Sequence, residues 1–141
     1  MNPDEYIVLA GRLAASSDGQ SSYRSATSRA YYGAFHIARD FLYTLGITIP
    51  CTANVHVFVQ RCLNCSANRS AELAASLLGD LHAARNRADY QFEDGRAGTQ
   101  PVAMLSVETA REVETLIAEC VENNEQIKQG IAEYQRRLSN Q

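Results

Sequence analysis

Apolar side chains recur at intervals of three and four along most of this chain. That is the spacing of helices that bury one face, and it leaves little room for a sheet. The only β-prone run is Ile47, Thr48 and Ile49, and Pro50 ends it at once. The chain is therefore predicted to be all-α.

The second helix, from about Ser22 to Leu45, has the broadest apolar arc. Ala30, Ala34, Ile37 and Phe41 lie on one side, and Tyr31, Phe35, Leu42 and Leu45 widen it. An arc wider than one contact needs belongs at the centre of a bundle. Gly33 and Ala34 are small enough to admit another helix or a second subunit closely, and Gly46 suits the C-cap. The first helix is predicted from Asp4 to about Ser16, with a Tyr6, Leu9, Ala10 and Leu13 stripe, and Asp18-Gly19 breaks it. The third spans Ala53 to Cys65. The fourth runs from Ser70 to Asp89, with Leu73, Leu77, Leu81, Ala84 and Ala88 as its core stripe. Gln91 to Gln100 reads as a loop. A last helix then passes Val113, Leu116, Cys120, Ile127 and Ile131 to Leu138, unless Asn123-Asn124 divides it. The expectation is an antiparallel up-and-down bundle of about five helices, one domain over residues 1–141, with a long last helix that overhangs or packs on a partner.

A chain of 141 residues buries about two thirds of its unfolded surface and needs no staple. Cys51, Cys62, Cys65 and Cys120 are accordingly read as thiols. Cys62-x-x-Cys65 with His56 nearby could supply part of a zinc site, but no second pair follows, so no metal is expected. A net charge of −3 argues against indiscriminate polyanion binding and leaves room for a local basic patch. The N-terminus lacks a basic start with an apolar core, and no run approaches the roughly 20 apolar residues of a membrane span. The cytoplasm is the expected compartment. No glycine-rich phosphate loop, HExxH or nucleophile elbow is present, and no cofactor is expected.

Chemistry concentrates on the fourth helix. His82, Arg85 and Asp89 are spaced by three and four and share one face. Arg85 can reach Asp89, Asn86 follows, and Tyr90 stands at the helix end. A guanidinium grips phosphate bidentately, an amide orients a ribose or backbone group, and an imidazole is the base suited to neutral pH. The plainer reading is an interhelical ion pair with a polar edge. On the second helix Arg29, Tyr32 and His36 repeat the same spacing, with Ser25 extending the stripe. If that stripe faces Arg85 and Asp89, the bundle holds a polar network that must be fully hydrogen-bonded. On its own His36 reads as a boundary histidine, His56 as a cap or bridge, and Tyr31, Tyr32, Phe35 and Tyr43 as core or interface aromatics.

Three segments together carry a resemblance: SRAYYGAFHIARDFL, the His56 segment, and LHAARNRADY. Over Ser21 to Tyr90 the chain resembles the HEPN superfamily (higher eukaryotes and prokaryotes nucleotide-binding). It is most similar to the small bacterial and archaeal branch whose fourth helix ends in Arg-x-x-Ala-Asp-Tyr. The resemblance implies a helical bundle that forms a homodimer, with the fourth-helix arginine of both subunits at a shared cleft. Many such proteins are metal-independent ribonucleases, and several are toxins paired with a small nucleotidyltransferase. Their signature is Arg, often followed by Asn, then His four to six residues beyond the Arg. Arg85 and Asn86 match, whereas Tyr90 stands where the nearest such His would fall. A phenol is a poor general base near neutrality. The resemblance thus points first to binding of RNA or nucleotide phosphate at the cleft, by a toxin-like protein or an accessory to a nucleotidyltransferase. Arg85 and Tyr90 are the catalytic candidates. Asn86, Asp89, His36, Arg29, Tyr32 and His82 are the further binding candidates. Metal-independent RNA cleavage and a non-catalytic helical interaction module are the alternatives.

Overall fold

A computed structural model of the chain describes residues 1–140. These form α1 (Asp4–Ala15), α2 (Gln20–Thr44), α3 (Val55–Asn64), α4 (Arg69–Tyr90), a 3-10 turn (Gly95–Gly98), α5 (Gln100–Cys120), a second 3-10 turn (Val121–Asn123) and α6 (Asn124–Ser139). No strand occurs among the described residues. The all-α bundle is as the apolar period requires. Its fifth helix is divided at Asn123-Asn124 by the second 3-10 turn, so its two halves are α5 and α6.

The helix ends follow from local chemistry. Asn2 Oδ1 accepts the Asp4 N–H at 3.0 Å at the start of α1. The Asn68 side chain accepts the Ala71 N–H at 3.0 Å at the start of α4. Gly46, at φ +79°, takes the left-handed turn after α2. Asp94 Oδ1 accepts the N–H groups of Arg96 at 3.1 Å and Ala97 at 3.4 Å, which folds part of the expected loop into the first 3-10 turn.

Helix α2 is the axis of the molecule and packs against α1, α4 and α5. One continuous core draws Ile7, Tyr31, Phe35, Leu42, Leu63, Leu81, Val113, Ile127 and Ile131 from all six helices. Gly33 serves the close approach of α1: a Cβ there would stand 2.6 Å from Ile7 Cγ1 and 3.3 Å from the Ile7 backbone nitrogen. Helix α6 is pressed onto the α3–α4 connection at Gly130, where a Cβ would lie 2.1 Å from the Ser66 carbonyl oxygen.

Two stripes differ in phase from expectation. In α1 the buried residues are Ile7, Ala10 and Ala14, while Leu9 is exposed and Tyr6 and Leu13 are half-buried. In α4 they are Ala71, Ala74, Ala75, Leu78, Leu81 and Ala88, while Leu73 is 45 % exposed. Steps of four residues drift by roughly 40° each around a helix, so Leu73 ends far from Leu81. The alanines hold a constant face and let neighbouring helices come close. No helix among the described residues is long and apolar enough to cross a membrane.

Candidate functional site

Helices α2 and α4 lie side by side and present Tyr32, His82, Arg85, Asn86 and Asp89 on a common half-buried face. Arg85 is its hub, with a side chain only 15 % exposed. Its Nη2 donates to Tyr32 Oη at 2.6 Å and its Nη1 to Asn86 Oδ1 at 3.1 Å. Its Nε lies 2.9 Å from Asp89 Oδ2, an ion pair in which the N–H does not point along the contact. Ser28 Oγ donates to the same carboxylate oxygen at 3.1 Å. The guanidinium also lies 5.1 Å from the Tyr32 ring centroid and 5.5 Å from that of Tyr90. Of the five N–H donors of an arginine, hydrogen bonds to Tyr32 and Asn86 use only two. The guanidinium is thus locked in position with donor capacity to spare.

All three histidines of the chain border this face. The His56 and His82 rings stack at 5.3 Å with 12° between their planes. Tyr31 lies 5.2 Å from His82, and its hydroxyl is hydrogen-bonded to His56 Nδ1. Burial pushes the Tyr31 phenol up, so it keeps its proton. With that phenol donating, Nδ1 of His56 is the acceptor and Nε2 carries the ring proton. His36 stacks on Tyr6 at 5.9 Å and stands 6.4 Å from Tyr32, with its Nδ1 buried and unpartnered. Each histidine is held below its ordinary value of 6.5, first by burial. The nearby charge of Arg85 adds to this at His82, and His82 and then Arg85 add to it at His56. At neutral pH the face therefore carries uncharged imidazoles around one arginine–aspartate pair.

The structure brings Tyr32, His82, Arg85, Asn86, Asp89 and Tyr90 together, with His36 at the edge. It does not bring Arg29 there. That residue is exposed, and its guanidinium lies 5.9 Å from the Tyr6 ring. Ser25 is exposed as well. The wall of α2 that meets α4 begins one residue earlier than the expected stripe, through Arg24, Ser28 and Tyr31.

Arg24 is the feature that the sequence reading missed. It is 7 % exposed and faces no carboxylate. Its Nη1 donates to the carbonyls of Arg87 at 3.2 Å, Ala88 at 3.0 Å and Gln91 at 3.1 Å. Its Nη2 donates to Phe92 at 3.3 Å and Asp94 at 2.6 Å, and its Nε to Gln20 Oε1 at 2.9 Å. A cation at the negative end of a helix dipole, saturated by carbonyls, fixes the end of α4 and the turn after it. The available signal was spacing: Arg24, Ser28, Tyr31 and Phe35 follow the core period. His56, expected as a cap or bridge, joins α3 to α4 by stacking on His82.

Among the described residues no group of three or more His, Cys, Asp or Glu side chains is arranged to hold a metal. Burial pushes the Cys62 and Cys120 thiols up to about 11, away from thiolate character.

Comparison with curated proteins and with solved structures gives no significant match. The family model described as HEPN domain matches residues 12–123, from within α1 to the second 3-10 turn, and so covers the whole α2–α4 face. The chain belongs to the HEPN domain family, a family linked in general to nucleotides and RNA.

Proposed function

We propose that the α2–α4 face binds RNA or nucleotide phosphate, with Arg85 as the anion anchor and Asn86 and Tyr90 beside it. The observation that carries this reading is the state of Arg85. Tyr32, Asn86 and Asp89 orient the guanidinium, yet N–H donors remain for an incoming oxygen. Asp89 is held in turn by Ser28, so it orients the arginine. The same proposal includes a dimer in which two copies of Arg85 line one cleft, in a toxin-like protein or one accessory to a small nucleotidyltransferase. HEPN membership supports that extension.

The test is fluorescence anisotropy with a labelled short RNA and, separately, a labelled adenine nucleotide. Wild type binds at least one of them, with affinity that falls as salt rises. Arg85→Ala, with an unchanged helical circular dichroism spectrum, binds at least tenfold more weakly. Equal binding by both proteins sinks the proposal.

A second reading, RNA cleavage, is favoured by the stacked His56 and His82 rings. They put uncharged imidazoles beside Arg85, although Tyr90 replaces the family's expected histidine. In that reaction a base takes the proton of a ribose 2′-hydroxyl, the 2′-oxygen attacks the adjacent phosphorus, and the bond to the 5′-oxygen breaks. The products are a 2′,3′-cyclic phosphate and a 5′-hydroxyl. Cleavage that resists EDTA in wild type and is lost in both Arg85→Ala and His82→Asn supports it. Identical background rates in all three exclude it.

A further inference from the structure

Tyr90 and Phe92 are the two most exposed aromatic side chains of the described residues, at 71 % and 73 %. Solvent-facing aromatics so close in sequence usually owe their exposure to something they bind. Their backbone is not loose. The Arg24 guanidinium takes the carbonyls of Arg87, Ala88, Gln91, Phe92 and Asp94, the residues around and between them, and lies 5.6 Å from the Phe92 ring. The pair is therefore displayed on a rigid turn.

Arginines stand on either side, each flank also holding carboxylates: Asp89 with Arg85, and Asp80 and Asp94 with Arg87 and Arg96. Arg85 lies 5.5 Å from the Tyr90 ring on one flank. On the other flank Arg87 and Arg96, with Asp80 and Asp94, line a groove between α4 and α5 with a volume of about 680 Å³. Neither Arg87 nor Arg96 has an ion pair among the described residues. At about 100° per residue, Arg85 and Arg87 point to opposite sides of α4, roughly 200° apart, with Tyr90 between them at about 140°. Asp80 and Asp94 are the opposing charges in that groove; the Asp94 carboxylate is held toward the N–H groups of Arg96 and Ala97, which fixes its position and keeps its charge.

From this arrangement we propose that Tyr90 and Phe92 are a base-stacking step between two phosphate contacts, and that the ligand is single-stranded nucleic acid. The proposal rests on the phosphate-binding reading of Arg85 and adds the substrate class. Cation, aromatic pair and cation in series match the alternation of phosphate and unpaired base along a strand. A duplex hides its base faces, and a mononucleotide cannot reach the arginines on both flanks. A protein partner would use the aromatics but would not need the arginines on both sides.

The experiment uses the full chain and four labelled probes: a single-stranded RNA octamer, its abasic counterpart of equal length, the octamer in duplex form, and AMP. Wild type is expected to bind the base-bearing octamer about tenfold or more tighter than the abasic strand, as stacking of one base gives. Tyr90→Leu and Phe92→Leu, which keep an exposed apolar side chain, should each shrink that gap. Arg85→Ala should weaken both strands alike, and Arg87→Gln with Arg96→Gln should weaken the octamers while leaving AMP unchanged. Equal wild-type affinity for base-bearing and abasic strands, with Arg85 still required, overturns the stacking step and leaves the phosphate reading standing. Duplex bound as tightly as single strand, or a gap unchanged in the leucine variants, also overturns it and turns the aromatic pair toward a protein partner. Absence of binding to every probe defeats both readings together.

Discussion

Replacement of Arg24 by methionine removes the one side chain that closes the end of α4. Methionine has a similar stem, so the change isolates the guanidinium. Five carbonyls lose a donor. Three of them keep another: Arg87 accepts from the Gln91 N–H, Gln91 from the Asp94 N–H, and Asp94 from the Ala97 N–H. The carbonyls of Ala88 and Phe92 have only Arg24 among these contacts. The Ala88 bond is buried, and an acceptor left unsatisfied there costs about 1–3 kcal/mol; the other four bonds are part-buried, so water recovers part of their loss, although hydrogen bonds to a charged donor are at the strong end of the range. Part of that loss is offset because a desolvated cation is removed. The net loss is about 3 kcal/mol, which lowers Tm by about 10 °C in a domain of this size. Urea and thermal unfolding followed by circular dichroism at 222 nm measure it. Arg24→Lys keeps the charge but not the planar fork, so it should recover about half. A Tm for Arg24→Met within about 2 °C of wild type would refute the reasoning, since the carbonyl cage would then contribute almost nothing.

Three further expectations follow from named contacts. Gly130→Ala places a methyl against the Ser66 carbonyl and should destabilise by about 2 kcal/mol in urea melts, although alanine favours a helix by about 1 kcal/mol; stabilisation would mean α6 is not seated there. Tyr32→Phe removes the 2.6 Å bond to Arg85 and should cost about 1 kcal/mol while also weakening RNA binding; a variant unchanged in both would free Arg85 from any dependence on that hydroxyl. His36, His56 and His82 are all held below 6.5 in the folded chain. Between that lowered range and 6.5 the unfolded chain binds more protons, so the stability they contribute is complete above about 6.5 and is lost as pH falls. Tm measured from pH 7.5 to 5.5 should decline on the acid side, and a flat or rising profile contradicts the buried, uncharged cluster.

The period of the apolar residues was legible, and with it the helix count and the central place of α2, because burial of one face depends on spacing alone. Phase was harder to read. Leucine outweighs alanine on a hydropathy pattern, so α4 was read through Leu73 and Leu77, but close helix packing selects Ala71, Ala74 and Ala75. A one-residue error on α2 put Ser25 and Arg29 in the expected stripe in place of Arg24 and Ser28. The Arg85–Asp89 pair was visible because both partners lie on one helix, four residues apart. The Tyr32–Arg85, Ser28–Asp89 and His56–His82 contacts join different helices, and no local pattern encodes such meetings. Arg24 was hidden for a related reason: its partners are backbone carbonyls, which have no sequence signature.

The claim that Arg85 takes the phosphate can be read at its own nitrogens. In ¹⁵N-labelled protein, the guanidinium resonances of Arg85 and Arg24 are followed by NMR while a single-stranded RNA octamer is added. The Arg85 signals should move in step with binding and by more than those of Arg24, whose donors are already taken by carbonyls. An octamer that binds while the Arg85 signals do not move would contradict the account.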